Sequence, residues 1–242
     1  MPRQARFIVP EVALHVIQRG HNRHATFRQD TDYMVYLATL AELLKTKACA
    51  LHAYCLMTNH VHLLLTPATE YACAALMRNL GQRYAQYFNR RYDRSGGLWE
   101  GRYRSCLVDS AAYVLACHRY IERNPVRAAM VQSAASYRWS SYQGNAGGAL
   151  DKLLTPHVEY VALGAEGDAR HRAYQQMLAE ADEPGFLAAI RDATNGGLPL
   201  IDPVLKAKLE ADTGRRLEHK KPGPRPAMKP PDLDTLTAEL GF

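Results

Sequence analysis

One predicted β-hairpin limits the fold of this chain more than any other segment. The runs 50–56 and 60–66 are rich in apolar residues, and only three residues separate them. A connection of this length is typical of a hairpin turn. Alternate side chains of an extended strand share one face, so His60 and His62 should project together from the second strand.

Strand and helix patterns continue on both sides of the hairpin. Strands are predicted at about 13–19 and 102–108, and helices at about 32–47, 70–91 and 111–123. The resulting order β-α-β-β-α-β, with an extra helix, is the ferredoxin-like or split βαβ arrangement. The sequence therefore predicts an α+β fold. A ferredoxin-like antiparallel sheet would carry packed helices, with the histidine strand in its centre and the last helix across it.

The histidine pair alone supports two interpretations. Two imidazoles on one face of a strand can bind a single divalent cation. A His-Val-His strand is more often a pair of hydrogen-bonded structural histidines, and histidine is not rare in this chain. Four more precede the pair: His15, His21, His24 and His52.

A second motif lies on the predicted helix 110–123. Asp109 or Ser110 can cap its start, and Pro125 should end it, because the residue before a proline avoids the α region. Tyr120 and Asn124 are then one turn apart on one face. A phenol and an amide oxygen side by side suit a metal-assisted tyrosine nucleophile. The alternative is that Tyr120 only packs and Asn124 only caps the helix.

Together the two motifs resemble a known family. Asn-His-Val-His at 59–62, followed by Tyr-Ile-Glu-Arg-Asn-Pro-Val-Arg at 120–127, is similar to the single-tyrosine transposases of the IS200-like superfamily. Within that superfamily the chain looks like the REP-associated tyrosine transposases. Other segments that resemble the family are Gln18-Arg19-Gly20, Leu98-Trp99-Glu100-Gly101-Arg102-Tyr103 and Trp139-Ser140-Ser141-Tyr142. The resemblance covers roughly residues 1–145.

This resemblance implies an HUH nuclease and its chemistry. His60 and His62 would bind Mg²⁺ or Mn²⁺, with Asn124 as third ligand where many relatives have Gln, a change also found in the REP-associated branch. Tyr120 would attack a phosphodiester of single-stranded DNA, leaving a 5′-phosphotyrosine link and a free 3′-hydroxyl. The implied partner is a palindromic REP-type DNA hairpin. Mn²⁺ tolerates imidazole nitrogen better than Mg²⁺ does.

The charge distribution is consistent with DNA binding. The net charge is +6, and seven arginines lie between residues 78 and 104, interleaved with aromatic residues. Arginines bind phosphates and aromatic rings stack on bases of single strands. Tyr84, Tyr87 and Phe88 have helical spacing, so at least two of them should be buried instead. The residues predicted to contact DNA are Arg19, Arg23, Arg78, Arg83, Arg90, Arg91, Trp99, Arg102, Tyr103, Arg104, Arg123, Arg127, Arg215, Arg216, Lys220 and Lys221.

The sequence divides into three predicted regions. Residues 1–145 would form the IS200-like catalytic domain, and a Gly-rich, linker-like break at 143–148 would precede a helical C-terminal region, 146–214. Helices are predicted there at about 168–180, 184–193 and 203–212. Residues 215–242 form a basic, proline-rich tail. The charges of this tail could contact DNA phosphates, or they could only be solvated.

Cysteine usage and hydropathy favour a cytoplasmic, nucleoid-associated protein. The five cysteines show no paired spacing, which fits reduced and mostly buried thiols. No apolar run approaches membrane-spanning length, and we expect no membrane partner and no signal peptide.

Two other functions and two oligomeric states are consistent with the same sequence. One function is a DNA-binding or regulatory protein that has lost catalysis on this scaffold, although Tyr120 and both histidines are retained. The other is a replication-initiation or relaxase-type HUH nuclease, although relaxases usually add a third histidine and order their motifs differently. Charge alone does not distinguish DNA from RNA. The protein could act as a monomer or as a homodimer.

Overall fold

Four strands and three helices form the predicted ferredoxin-like fold. The computed structural model describes residues 6–180, 184–214 and 216–217. The elements are β1 (Ala13–Arg19), α1 (Asp30–Thr46), β2 (Cys49–Met57), β3 (His60–Pro67), α2 (Ala72–Arg91), β4 (Arg104–Val108) and α3 (Ala111–Glu122). The strands make one antiparallel sheet in the order β2-β3-β1-β4. The α+β fold and the central position of the histidine strand are confirmed.

The pairing of β1 with β3 places the histidines on one face of the sheet. His60 is opposite Arg19 and His62 is opposite Ile17. His15, two residues before Ile17, projects to the same side. We call this surface the histidine face. Side chains of the other face are apolar and buried: Leu14, Val16, Val61, Leu63 and Leu65.

Helices α1 and α2 cover the apolar face of the sheet. Gln18 of β1 projects from the sheet on the side opposite the histidine face, and it lies against Gly81 of α2. Tyr84 and Phe88 of α2 are fully buried, which confirms that at least two of the three spaced aromatic residues belong to the core. The hydroxyl of Tyr87 donates to Asp32 of α1 at 2.9 Å. The α1/α2 layer therefore lies on the opposite side of the sheet from the histidines.

The chain beyond α3 adds six helices in the described ranges. They are α4 (Asn124–Arg127), α5 (Tyr142–Asn145), α6 (Val158–Val161), α7 (Gly167–Ala179), α8 (Pro184–Gly196) and α9 (Pro203–Thr213). The last three confirm the predicted helices within a few residues. None of the helices described is both long and apolar enough to cross a membrane.

The helical C-terminal region shares its core with the sheet. Ile190 and Ala193 of α8 and Ile201 belong to the same buried cluster as the strands. Leu200 extends the sheet, because its N–H donates to Leu107 of β4 at 2.7 Å. A second, smaller buried cluster lies wholly beyond residue 145 and consists of Ala146, Tyr160, Tyr174 and Leu178. The division at residue 145 stays a prediction from sequence.

One local prediction is wrong and another is confirmed only in part. Residues 143–148 were expected to form a linker, but α5 ends there with Asn145, which is buried and donates to Glu122 at 2.8 Å and to the His52 carbonyl at 3.1 Å. These buried hydrogen bonds outweigh the glycine content of the segment. The predicted end of the helix before Pro125 is confirmed within one residue, because α3 ends at Glu122. Asn124 was expected to leave the α region, but it begins the short helix α4, with Pro125 in the first turn, where a missing N–H leaves no hydrogen bond unmade.

Candidate active site

His60 and His62 each form a hydrogen bond through one ring nitrogen, Nδ1, and Nε2 is left for a metal. Their ring centres are 4.9 Å apart. Nδ1 of His60 bonds to Oδ1 of Asn59 at 2.7 Å, and Nδ1 of His62 bonds to Nε2 of His15 at 3.0 Å. Among the described residues, no hydrogen bond uses Nε2 of either ring. The pair thus has structural hydrogen bonds and two nitrogens suited to a metal.

The environment of the two imidazoles keeps them in the ligating form. Burial, with a smaller contribution from the nearby Arg19, lowers the pKa of His60 to about 4. Burial also holds the pKa of His62 well below its usual value, with smaller contributions from His60, His15, Arg127 and Arg19. A metal binds neutral imidazole, so ligation at neutral pH would require little proton release from these rings.

Helix α3 brings Tyr120 onto the histidine face. The side chain of Ser110 caps the helix start by accepting from the Tyr113 N–H at 3.4 Å. The Tyr120 ring lies edge-on to His62 at 5.7 Å and to His15 at 5.6 Å between centres, and is 5% exposed. Tyr113, seven residues earlier in α3, stacks instead on Phe186 of α8. The structure therefore brings Tyr120 to the histidine pair.

Asn124 performs the capping role that the sequence left open. Its Nδ2 donates to the Tyr120 carbonyl at 3.2 Å, which satisfies a backbone acceptor at the end of α3. The amide oxygen is the atom that remains for a metal. Capping and ligation use different ends of this side chain, so the two roles are compatible.

Two arginines make the surroundings of Tyr120 and the histidines cationic. The Arg127 guanidinium carbon lies 4.5 Å from the centre of the Tyr120 ring, and the same side chain donates to the Tyr120 carbonyl. Arg19 is paired in register with His60. A site with this charge attracts phosphate groups.

The donor set fits a divalent cation with mixed nitrogen and oxygen ligands. No group of three or more His, Cys, Asp or Glu side chains in the described ranges could hold a metal. A metal here would therefore rely on His60, His62 and the oxygen of Asn124. Two imidazoles favour Mn²⁺ over the harder Mg²⁺.

Most of the arginines predicted to bind DNA are exposed. Those of the described residues are Arg23, Arg78, Arg83, Arg90, Arg91, Arg102, Arg104 and Arg216. Some have protein partners: Arg83 pairs with Glu42 at 2.8 Å, and Arg104 donates to Asn195 at 2.7 Å. Arg123 is half-buried and donates to the Glu180 carbonyl at 2.6 Å. Arg215, Lys220 and Lys221 lie outside the described residues.

An open cavity of about 450 Å³ runs along the outer side of α2. Its lining residues are Arg83, Gln86, Tyr87, Arg90 and Arg91. Arg91 also donates to Gln29 at 2.6 Å. This basic surface belongs to the α1/α2 layer, so the sheet separates it from Tyr120.

Of the two rings predicted to stack on bases, Tyr103 is buried and Trp99 is half-buried in this structure. The Trp99 indole N–H donates to the Gly81 carbonyl at 3.0 Å. Tyr103 is 7% exposed, and the Arg6 guanidinium lies 3.6 Å from its ring centre. Base stacking by Tyr103 would require its contact with Arg6 to break. The role of both rings in DNA contact stays a prediction, which this conformation does not favour for Tyr103.

Sequence reasoning missed three residues around the site. His15 bonds to His62, and its spacing from Arg19 along β1 could have placed it on the histidine face. Thr194 bonds to His15, and Glu122 joins α3 to the C-terminal region. No local pattern marks Thr194 or Glu122, because their partners are distant in sequence.

One family model matches the part of the chain that contains the candidate site. The family model described as "Transposase IS200 like" matches residues 8–124, which include both histidines, Tyr120 and Asn124. No curated protein matches the sequence.

Two solved structures are similar to this one. The first is described as a REP-associated tyrosine transposase bound to a REP hairpin. It has a TM-score of 0.53 and 14% identity, and the alignment covers 65% of this chain and 93% of that one. The second, a candidate transposase from Deinococcus radiodurans R1, has a TM-score of 0.36 and 20% identity over 50% of this chain and 97% of that one. The first likeness supports the fold, and the family match covers the site. The match to the IS200-like transposase family thus spans residues 8–124, just under half of the chain.

Proposed function

We propose that this protein is a metal-dependent endonuclease and strand transferase for single-stranded DNA, with Tyr120 as its nucleophile. The observation that carries the proposal is the position of the Tyr120 ring. It lies edge-on to His62, one of two imidazoles whose Nε2 atoms are unused by the described residues. A structural histidine pair would not require a tyrosine at this place.

The reaction is a transesterification at phosphorus. The phenolic oxygen of Tyr120 loses its proton and attacks a phosphodiester, forming a P–O bond while the bond to the 3′-oxygen breaks. The products are a 5′-phosphotyrosine link and a DNA strand whose 3′-oxygen takes up a proton. Because the number of phosphoester bonds is unchanged, a second 3′-hydroxyl can reverse the step and join a new strand.

The protein side chains position the reactants. Arg127 holds Tyr120 through its backbone carbonyl and its ring face. Arg127 and Arg19 place positive charge where the phosphate would lie. A divalent metal held by His60, His62 and Asn124 would supply further neutralisation of phosphate charge.

We further propose that the substrate is a palindromic REP-type hairpin, read in the cytoplasm on the nucleoid. The similar structure is described as bound to a REP hairpin. The exposed arginines Arg78, Arg83 and Arg90 of α2 offer phosphate contacts on the layer opposite the site. Tyr120 meets the histidines of its own chain, so a monomer can assemble this site.

A labelled hairpin with a single-stranded flank tests the proposal. Wild-type protein with Mn²⁺ should give a covalent adduct on a denaturing gel, and Tyr120→Phe should give none while binding the hairpin with similar affinity. Tyr113→Phe is the matched control on the same helix and should still form the adduct. Hairpin binding without an adduct in wild-type protein would instead support a DNA-binding regulator.

A further inference from the structure

We propose that Thr194 and His15 are positioning residues for His62. Through a hydrogen-bond relay they determine which nitrogen of His62 carries the proton, and so hold its other nitrogen ready for a metal. The inference rests on the proposed function for the identity of the ligand, but it concerns side chains that no motif of the sequence assigns to the site.

The relay runs from the C-terminal region to the metal site. Oγ1 of Thr194, on α8, is 2.9 Å from Nδ1 of His15 on β1. Nε2 of His15 is 3.0 Å from Nδ1 of His62 on β3. The two imidazoles are stacked, 5.3 Å apart and 10° from parallel, and all three side chains are buried.

The direction of the relay follows from the single proton of the threonine hydroxyl. That hydroxyl donates to the Ile190 carbonyl at 2.8 Å, one turn earlier in α8. Toward His15 it can therefore only accept, so Nδ1 of His15 carries a proton. Cys106, whose sulfur is 3.2 Å from the same oxygen, must likewise be a donor.

The proton on His15 determines the state of His62. His15 is fully buried, and no carboxylate among the described residues pairs with it, so its ring is neutral and Nε2 has a lone pair. His62 must then donate to it from Nδ1, which leaves Nε2 of His62 unprotonated. This is the tautomer that a metal requires.

Packing alone does not account for this arrangement. An apolar ring at His15 would fill the same space, whereas each nitrogen here has a partner at hydrogen-bond distance. A hydrogen-bond partner on the second ring nitrogen of a metal-binding histidine typically raises the metal affinity by roughly 10–100-fold. Because Thr194 lies on α8, the C-terminal region contributes a side chain to the proposed metal site.

Thr194→Val tests the relay because valine keeps the shape and removes the acceptor. His15 would then lose the partner of its Nδ1 proton, and the tautomers of both rings should reverse. In metal-free protein, ¹⁵N NMR of labelled histidine should show His62 protonated at Nδ1 in wild type and at Nε2 in the variant. Mn²⁺ affinity, measured by electron paramagnetic resonance, should fall by roughly 10–100-fold.

Two further variants separate the relay from a folding defect. Thr194→Ser restores the acceptor and should restore both the tautomer and the Mn²⁺ affinity. His15→Phe, which keeps a ring but no acceptor, should reproduce the loss of affinity. An unchanged tautomer and unchanged affinity in Thr194→Val would overturn the relay. The NMR result does not depend on DNA cleavage, so it stands or fails apart from the proposed activity.

Discussion

Glu122 gives the tyrosine helix a pH-dependent attachment to the C-terminal region. It is fully buried two residues beyond Tyr120, and it accepts hydrogen bonds from Ser141 at 2.6 Å, Asn145 at 2.8 Å and Tyr174 at 2.9 Å. None of these donors carries a charge. Burial raises the pKa of Glu122 from 4.5 to about 7, although the three hydrogen bonds oppose the shift.

The sign of the effect follows from the raised pKa. The folded protein binds this proton more tightly than the unfolded chain, so stability is lost as the pH rises from about 4.5 through about 7. A shift of about 2.5 units corresponds to about 3 kcal/mol at neutral pH. In Glu122→Gln the amide cannot ionise, and this loss should disappear.

Urea denaturation of wild type and Glu122→Gln at a series of pH values measures the difference. Relative to the wild type, the free energy of unfolding of the variant should increase by about 3 kcal/mol as the pH rises from about 4.5 to about 8. Buried histidines with no partner in common with Glu122, such as His15, whose pKa burial lowers to about 3, destabilise both proteins at low pH and cancel in the difference.

A second variant should move the effect in the opposite direction. Ser141→Ala removes a donor that lowers the pKa of Glu122, so its stability should fall more steeply than that of the wild type as the pH rises. A difference between Glu122→Gln and wild type that does not vary with pH would refute this reasoning.

Three further predictions concern metal and DNA. His60→Ala and His62→Ala should abolish Mn²⁺-dependent cleavage, while Asn124→Ala should retain part of it at saturating Mn²⁺, because water can replace an amide oxygen; equal loss in all three variants would assign Asn124 to positioning instead. Arg127→Ala should reduce the cleavage rate more than hairpin affinity, since Arg127 holds Tyr120; equal losses in kinetic and binding assays would contradict that role. Truncation before Arg215 should weaken binding to cognate and scrambled hairpins alike and make the slope of log K against log salt shallower by roughly 0.7 per lost contact; an unchanged slope with lost discrimination would show that the tail reads sequence or shape.

The fold was largely predictable because its signals are local. Alternation along β1 and β3 and helical spacing in α2 and α3 identify these elements within a few residues. The start of α1 was placed two residues late because its cap, Gln29 with Asp32, is an unusual capping pair.

The candidate site was predictable only where its residues form motifs. His60, His62 and Tyr120 come together as the resemblance to the IS200-like superfamily implied. The contacts of Thr194 with His15 depend on how α8 packs against β1 and β4, which no local pattern encodes. The hydrogen bond that holds the half-buried Trp99 depends in the same way on a distant carbonyl, that of Gly81.

The most direct test of the central claim is to identify the residue that becomes linked to DNA. Trypsin should release Tyr120 in a four-residue peptide, because Arg119 precedes it and Arg123 ends it, while Tyr113 falls in a different peptide. After reaction of wild-type protein with a short hairpin and Mn²⁺, followed by nuclease and trypsin, mass spectrometry should find the nucleotide on the peptide 120–123. A nucleotide on another peptide, or no linked peptide from protein that binds the hairpin and Mn²⁺, would contradict the account.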